Sequence, residues 1–302
     1  MAESRESPRL FDEPTLRKLE QLTLVADRVR VGLMRGDRRS RKRGTSIEFA
    51  DYRDYARGDD LRRLDWNVFA RLQRPFIKLL EEEEDLAVHV LLDGSLSMNW
   101  PRGADDENKF NYARRVAAAL AIIGLSSGDQ VRLSVLKTNG DASWGPYRGR
   151  QSAARVFRRL ELASAEGVTD LNFALRQYGL RAIRPGLLVL ISDLFSPGGF
   201  KVGIDGLLAR GFEVGLIQLL SPDEASPDAS GDVRLVDVET GVEEEVSLDN
   251  WTIDRYRKRL QSWQQETAAY CAKRSIHYIP VITDLPWQML VMRAMRAQGL
   301  VR

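Results

Sequence analysis

Two hydrophobic patterns divide the sequence near residue 86. Before that point, apolar side chains recur every three or four residues, as on one face of an amphipathic helix: Leu16, Leu19, Leu22, Ala26, Val29 and Leu33. Gly36 is expected to end this helix. From Leu86 onward, short apolar runs alternate with segments of helical periodicity. We therefore expect an N-terminal part at residues 1–85 and an α/β domain at residues 86–302.

The second pattern predicts a doubly wound, mostly parallel α/β sheet, because strands alternate with helices along the chain. Strands are expected at 86–93, 131–138, 186–193, 212–220 and 277–283, and helices at 108–124, 151–163, 170–182, 201–210 and 253–270. The turn signal Asn139-Gly140 predicts that 142–147 returns as an antiparallel edge strand. Glu239-Thr240-Gly241 lies between two strand-like segments, which predicts an inserted β-hairpin.

Composition narrows the possible functions. The chain of 302 residues has one cysteine, Cys271, and two histidines, and it lacks a C-x-x-C pair, so neither a disulfide scaffold nor a multi-histidine zinc site is expected. Walker A and G-x-G-x-x-G motifs are missing as well. The longest apolar run, Val116–Leu125, is much shorter than the ~20 residues of a membrane span. We expect a cytoplasmic protein with no integral membrane segment.

Charge is concentrated at the start of the chain. Residues 1–43 contain 12 Lys and Arg against 7 Asp and Glu, although the net charge of the whole chain is only +2. Residues 35–43 form a basic loop that could bind an anionic polymer. Charge runs are usually solvated, so nucleic acid is not an expected partner.

Candidate chemistry gathers where the predicted strands end. Asp93 ends one strand and Asp193 another, and ligands bind beyond the carboxyl ends of strands in such sheets. Asp93 begins the pattern D-x-S-x-S with Ser95 and Ser97, and Thr169 lies in a turn before a helix. Two carboxylates and three hydroxyls suit a hard divalent cation. The alternative is that these Asp and Ser side chains only cap helices.

These five residues resemble the metal-ion-dependent adhesion site of the von Willebrand factor A domain. The resemblance implies that Ser95, Ser97 and Thr169 ligate the metal and that Asp93 and Asp193 act directly or through water. Mg²⁺ is the expected ion, with Mn²⁺ or Ca²⁺ as alternatives. The sequence departs from the family at Leu194, where the family often has glycine.

The segment 44–85 narrows the resemblance to domain-of-unknown-function family 58. The matching residues are Glu48-Phe49, Tyr52-Arg53, Tyr55, Gly58-Asp59-Asp60, Arg62, Asp65-Trp66, Ala70-Arg71 and Glu81 to Glu84. The resemblance implies a partner of the MoxR-type AAA+ ATPase class, a client protein offering an acidic side chain, or both. Candidate docking residues are Arg53, Asp59, Asp60, Arg62, Asp65 and Arg71. The alternative for this charged segment is a structural Arg–carboxylate network around Trp66.

A non-enzymatic, metal-dependent protein-interaction module, acting as adaptor or co-chaperone, is the function that these features favour. The alternative is a metal-assisted hydrolase or phosphatase that uses Asp93. The motif G-x-S-x-G at 124–128 does not indicate a nucleophile, because a helix and not a strand precedes Ser126. His89 lies within a buried strand and is expected to be a hydrogen-bonded core residue.

Overall fold

The chain forms two compact units, described here as a computed structural model of residues 11–26, 47–56, 64–82, 85–104, 106–138, 140–227, 231–239 and 241–302. The larger unit combines residues 1–34 with 86–302, and the smaller one spans residues 35–85. The sequence pattern predicts that residues 1–85 form one N-terminal part. The described residues 11–26 instead belong to the larger unit, because Phe11, Leu19 and Leu24 are buried in its core.

A six-stranded sheet with the order β10-β7-β6-β3-β4-β5 forms the centre of the larger unit. Its strands are β3 (Ala87–Asp93), β4 (Gln130–Leu136), β5 (Ala142–Tyr147), β6 (Leu187–Ser192), β7 (Glu213–Leu220) and β10 (His277–Ile282). All neighbours are parallel except β5, which pairs antiparallel with β4 at the edge. The predicted fold class, a doubly wound and mostly parallel α/β sheet with an antiparallel edge strand, is confirmed.

Helices cover both faces of this sheet. They are α1 (Glu13–Leu19), α3 (Lys109–Ser126), α4 (Ala153–Glu161), α5 (Leu171–Arg181), α6 (Lys201–Ala209), α7 (Pro222–Ala225), α8 (Asn250–Ala272) and α9 (Trp287–Met289), with α2 (Trp66–Leu72) in the smaller unit. Within the described part of the chain, we find no helix with the length and apolar character to cross a membrane.

Alternate residues of the strands serve two separate cores. Val88, Val90 and Leu92 of β3 pack on one face with α1, α3, α4 and the C-terminal helical segment. Leu91 of β3 packs on the other face with α5, α6 and the end of α8. Packing on both faces explains why every residue of β3 is buried and why most of its residues are apolar.

The N-terminal helix is much shorter than its apolar pattern indicates. It ends at Leu19, a turn follows at Glu20 and Gln21, and the chain then pairs with the last residues, where Leu24 forms a bridge with Val301. The Thr23 and Arg302 backbones exchange hydrogen bonds of 3.0 and 2.9 Å. This long-range pairing satisfies the backbone groups that a longer helix would have used. Val29, Leu33 and Gly36 lie outside the described residues.

The smaller unit contains an antiparallel hairpin, β1 (Ile47–Asp54) with β2 (Phe76–Glu82), and α2. Asp65 caps α2, since its Oδ1 accepts from the backbone N–H groups of Asn67 and Val68 at 2.9 and 3.2 Å. Trp66 is 63% exposed and packs edge-on against Phe69. Most of the charged residues of the predicted Arg–carboxylate network around Trp66 fall at 57–63, outside the described residues, so that network stays a prediction.

The inserted hairpin is present as predicted, with β8 (Gly231–Val236) antiparallel to β9 (Glu243–Leu248). Thr240 at its tip lies outside the described residues, as does Asn139 in the turn between β4 and β5. The end of α3 also confirms the sequence interpretation of Ser126. This serine is the last residue of the helix, and Gly128 turns the chain with a φ of +85°.

Candidate metal site

The candidate site lies at the carboxyl edge of the sheet, where β3 is flanked by β4 and β6. The chain passes from β3 to β4 on one side and later returns to β6 on the other, so the connections diverge between β3 and β6. Such a switch point opens a crevice beyond the strand ends. Asp93 ends β3, and Asp193 directly follows β6.

Asp93 is buried, and both of its carboxylate oxygens accept hydrogen bonds. The backbone N–H of Ser95 donates to Oδ1 at 3.0 Å, and the Ser192 hydroxyl donates to Oδ2 at 2.6 Å. Burial and the nearby Asp193 carboxylate raise the pKa of Asp93 to about 6, against the opposing effect of these donors. A buried carboxylate with a second negative charge in its surroundings is stabilised by a nearby cation.

The hydroxyls of Ser95 and Ser97 form a pair whose oxygens are 3.0 Å apart. Ser95 is buried, whereas Ser97 is partly exposed, so the pair lies at the rim of the crevice. Gly94 allows the loop to take this path: a Cβ there would lie 2.7 Å from the backbone oxygen of Leu136 and 2.6 Å from Val135 Cγ1. Only a residue without a side chain fits so close to the end of β4.

Thr169 lies on a second loop that is fastened to the first. The backbone N–H of Leu96 donates to the Gly167 oxygen at 2.8 Å, and the N–H of Glu166 donates to the Gly94 oxygen at 2.8 Å. Thr169 itself is buried, and its hydroxyl donates to the Leu136 oxygen at 3.3 Å. The structure thus brings Thr169 to the same edge of the sheet as Asp93, Ser95 and Ser97.

Asp193 makes an ion pair that the sequence did not indicate. Its Oδ2 lies 2.7 Å from the ammonium of Lys109, whose side chain is fully buried, and Glu224 Oε1 lies 2.5 Å from the same ammonium. Burial disfavours the charged form of Lys109, but the two carboxylates outweigh it and raise its pKa. Asp193 Oδ1 accepts from the Phe195 N–H at 3.0 Å.

The backbone conformation of Leu194 is one that glycine adopts more easily than leucine. Its φ is +65°, in the left-handed region that non-glycine residues rarely adopt. The backbone N–H of Leu194 donates to the Ser192 hydroxyl at 2.9 Å, and its side chain is buried with α5 and α6. These contacts hold a leucine in a conformation that costs roughly 1–2 kcal/mol.

The donor set fits a small divalent cation bound largely through neutral oxygens. Adjacent ligands of an octahedral Mg²⁺ at 2.0–2.1 Å are ~2.9 Å apart, close to the 3.0 Å between the Ser95 and Ser97 hydroxyls. The carboxylates of Asp93 and Asp193 lie at the same edge of the sheet, and each accepts hydrogen bonds from neighbouring N–H or O–H groups. Among the described side chains there is no group of three or more His, Cys, Asp or Glu arranged for a metal, so a cation here would depend on hydroxyls and water.

One protein family matches this chain over a range that includes most of the charged segment and most of the α/β domain. Residues 51–269 match the family described as protein of unknown function DUF58. The chain belongs to this family. It is 30% identical over 297 residues to uncharacterized proteins of Mycobacterium tuberculosis and Mycobacterium bovis, covering 96% of this chain and 92% of each relative.

Solved structures show weaker similarity to this DUF58 chain. The conserved hypothetical protein BatB from Bacteroides thetaiotaomicron is 15% identical, with a TM-score of 0.43, and the match covers 71% of this chain and 98% of that one. An aerotolerance-related membrane protein from Bacteroides fragilis is 18% identical, with a TM-score of 0.41 and coverages of 70% and 99%.

The candidate docking residues of the DUF58 segment are only partly described. Arg53 on β1 and Arg71 in the last turn of α2 are exposed, whereas Asp65 is buried as the cap of α2. Asp59, Asp60 and Arg62 lie outside the described residues, as does the basic loop 35–43. Arg53 and Arg71 therefore remain candidates for docking, but the buried cap Asp65 has a structural role.

Two residues at the site escaped sequence reasoning: Lys109 and Glu224. Ser221-x-x-Glu224 is a capping box, which the sequence pattern does reveal as a helix start. No local pattern indicates that Lys109, the first residue of α3, is buried against Asp193.

Proposed function

We propose that this DUF58 chain is a non-enzymatic, metal-dependent protein-interaction module. The observation that carries the proposal is the Ser95–Ser97 hydroxyl pair, spaced at 3.0 Å at the rim of a crevice with two buried carboxylates behind it. Neutral hydroxyl ligands leave a bound Mg²⁺ strongly electrophilic, so a carboxylate from another protein becomes a favourable further ligand. Mn²⁺ or Ca²⁺ would serve the same role.

The proposed partner is a MoxR-type AAA+ ATPase, a client protein with an acidic side chain, or both. The chain would act as adaptor or co-chaperone in the cytoplasm while the ATPase hydrolyses ATP. The family resemblance motivates this assignment, and the exposed Arg53 and Arg71 offer a second contact surface. Arginine suits such a surface because its guanidinium pairs with carboxylates through two parallel hydrogen bonds.

Mg²⁺ is expected to stabilise the parent chain and not a Ser95→Ala/Ser97→Ala variant. A ligand that binds only the folded state adds RT ln(1 + [L]/Kd), about 2.7 kcal/mol at one hundred times Kd. For a chain of this size the gain corresponds to several degrees in Tm. The measurement is thermal unfolding in Mg²⁺ and in chelator.

The matched control removes a different hydroxyl pair. Ser134 and Ser143 pair at 2.7 Å between β4 and β5, within the sheet. The Ser134→Ala/Ser143→Ala variant should keep the full response to Mg²⁺. Identical melting curves of the parent chain in Mg²⁺ and chelator would contradict a metal-dependent function.

Partner binding should require Asp93 and the metal. We expect Asp93→Asn to weaken binding of the co-purified ATPase or client at least tenfold, about 1.4 kcal/mol, because the variant removes a charge that supports the cation. Titration of the partner in Mg²⁺ and in chelator measures the effect. If neither chelator nor Asp93→Asn weakens binding, the partner binds at a different surface of the chain. Phosphatase or esterase turnover lost in Asp93→Asn would favour the hydrolase alternative.

A further inference from the structure

The segment 231–262 carries two exposed groups of opposite charge. The hairpin of β8 and β9 contains six Asp and Glu residues and one Arg, whereas residues 250–262, in the first half of α8, contain four Lys and Arg residues and one Asp. None of the described residues in either stretch is buried, so the charges are accessible to another molecule. Neighbouring surfaces of opposite charge can each attract a charge of the other sign.

The basic group lies on one face of α8. Arg255, Lys258 and Arg259 are three and four residues apart, so they project from the same side of the helix, and all three are exposed. Trp251, one turn earlier on that side, is 66% exposed, and the Arg255 guanidinium carbon lies 5.3 Å from the centre of its ring. Within the described part of the chain, no carboxylate forms an ion pair with these three cations. This face of α8 is therefore a cationic surface with an exposed aromatic side chain.

The acidic group lies on the outer face of the hairpin. Alternation along β9 places Glu243 and Glu245 on one face, and Glu245 is opposite Arg234 of β8. Val233 and Val246 pair on the other face and are partly buried. The Arg234 guanidinium lies 3.2 Å from Glu243 and is exposed with it. One cation therefore offsets only part of the negative charge on the outer face.

The two groups begin at a common junction but do not neutralise each other within the chain. Asp249 alone separates β9 from α8, and it caps the helix by accepting from the Thr252 N–H at 2.7 Å. Glu243 lies about 20 Å from this junction along the strand, and Arg259 lies about 15 Å from it along the helix. In the described structure, neither Glu243 nor Glu245 forms an ion pair with α8. Both groups therefore remain available to another molecule.

A second copy of the chain is the partner whose charges fit both groups. A nucleic acid or an anionic membrane would be attracted by the basic face of α8 but repelled by the acidic hairpin beside it. In a two-fold arrangement, the basic face of each copy lies against the acidic hairpin of the other, so the same contact forms twice. Val242 and Trp251, which are 65% and 66% exposed, add apolar surface that such a contact would cover.

We infer that this protein self-associates through the hairpin of β8 and β9 and the basic face of α8. The basic face of one protomer binds the outer face of the hairpin of its partner, and the reciprocal contact completes a dimer. Exposed ion pairs each contribute little, so the expected dissociation constant at low salt is on the order of 100 μM. Screening should weaken the dimer at least about tenfold in about 0.5 M salt.

The test is analytical ultracentrifugation of the full chain in chelator, so the result does not depend on the metal-dependent function. Arg255→Glu/Arg259→Glu and Glu243→Lys/Glu245→Lys should each weaken the dimer at least about tenfold, because like charges then face each other. An equimolar mixture of the two variants should dimerise again, because each contact then joins opposite charges. Thermal unfolding at the temperature of the parent verifies that both variants are folded.

The matched control is Arg158→Glu/Arg159→Glu. It makes the same change in net charge at two exposed positions of α4 and should dimerise like the parent. A parent chain that stays monomeric at about 500 μM overturns the inference. A mixture of the two variants that fails to dimerise also overturns it. If an oligonucleotide or an anionic vesicle binds a parent chain that stays monomeric, the basic face belongs to that ligand and self-association is wrong.

Discussion

Replacing Lys109 with methionine is expected to lower the free energy of unfolding by about 3–5 kcal/mol. The Lys109 ammonium is fully buried and contacts Asp193 and Glu224 at 2.7 and 2.5 Å. Methionine fills a similar volume but leaves the buried Asp193 and the partly buried Glu224 without their cation. The penalty comes from these orphaned charges and not from a cavity. Urea unfolding in chelator, which prevents a metal ion from compensating, measures it.

Two further variants distinguish the effect of unpaired carboxylates from the effect of removing any lysine. Lys137→Met removes a partly exposed lysine that lies 3.6 Å from the exposed Glu166, and it should cost only a small fraction of the loss at Lys109. Adding Glu224→Gln to Lys109→Met should recover part of the stability, since one of the two orphaned charges is gone. The idea fails if Lys109→Met unfolds at the same urea concentration as the parent.

The strands were predictable because parallel strands buried on both faces leave a simple mark in sequence. In β3, β6 and β7 every residue is buried, and apolar residues predominate in each strand. Asp93 and Asp193 were predictable for the same reason, since a strand end in such a sheet points to the ligand-binding edge. Pattern and burial agree wherever an element packs on both sides.

The errors arise where long-range contacts override a local pattern. The apolar face of 16–33 predicts one long helix, but the C-terminus offers Thr23 a backbone partner that no local window contains. Lys109 appears in sequence as an ordinary polar residue at a helix start, and its burial depends on Asp193 and Glu224. Sequence shows which residues are polar, whereas the fold decides which of them meet.

His89 in β3 confirms the expectation of a hydrogen-bonded core histidine. Its Nδ1 lies 2.7 Å from the Tyr178 hydroxyl and its Nε2 lies 3.1 Å from the Arg184 oxygen, while Phe212 packs edge-on against the ring. Burial, assisted by the positive charge of Arg132, lowers the pKa of His89 to about 4. The unfolded chain keeps the ordinary histidine pKa of about 6.5.

Acidification from pH 7 to pH 5 is therefore expected to lower the free energy of unfolding by about 2 kcal/mol through His89. Below pH 4 the whole contribution of His89 is lost, on the order of 3 kcal/mol. Above pH 6.5 the ring is neutral in both states and contributes no pH dependence. Between pH 6.5 and 4 only the unfolded chain takes up the proton, so stability falls as the pH falls. Urea unfolding at both pH values measures the loss, which His89→Leu should remove and the control His277→Gln should keep. An equal acid loss in the parent and His89→Leu would show that the buried ring is not its source.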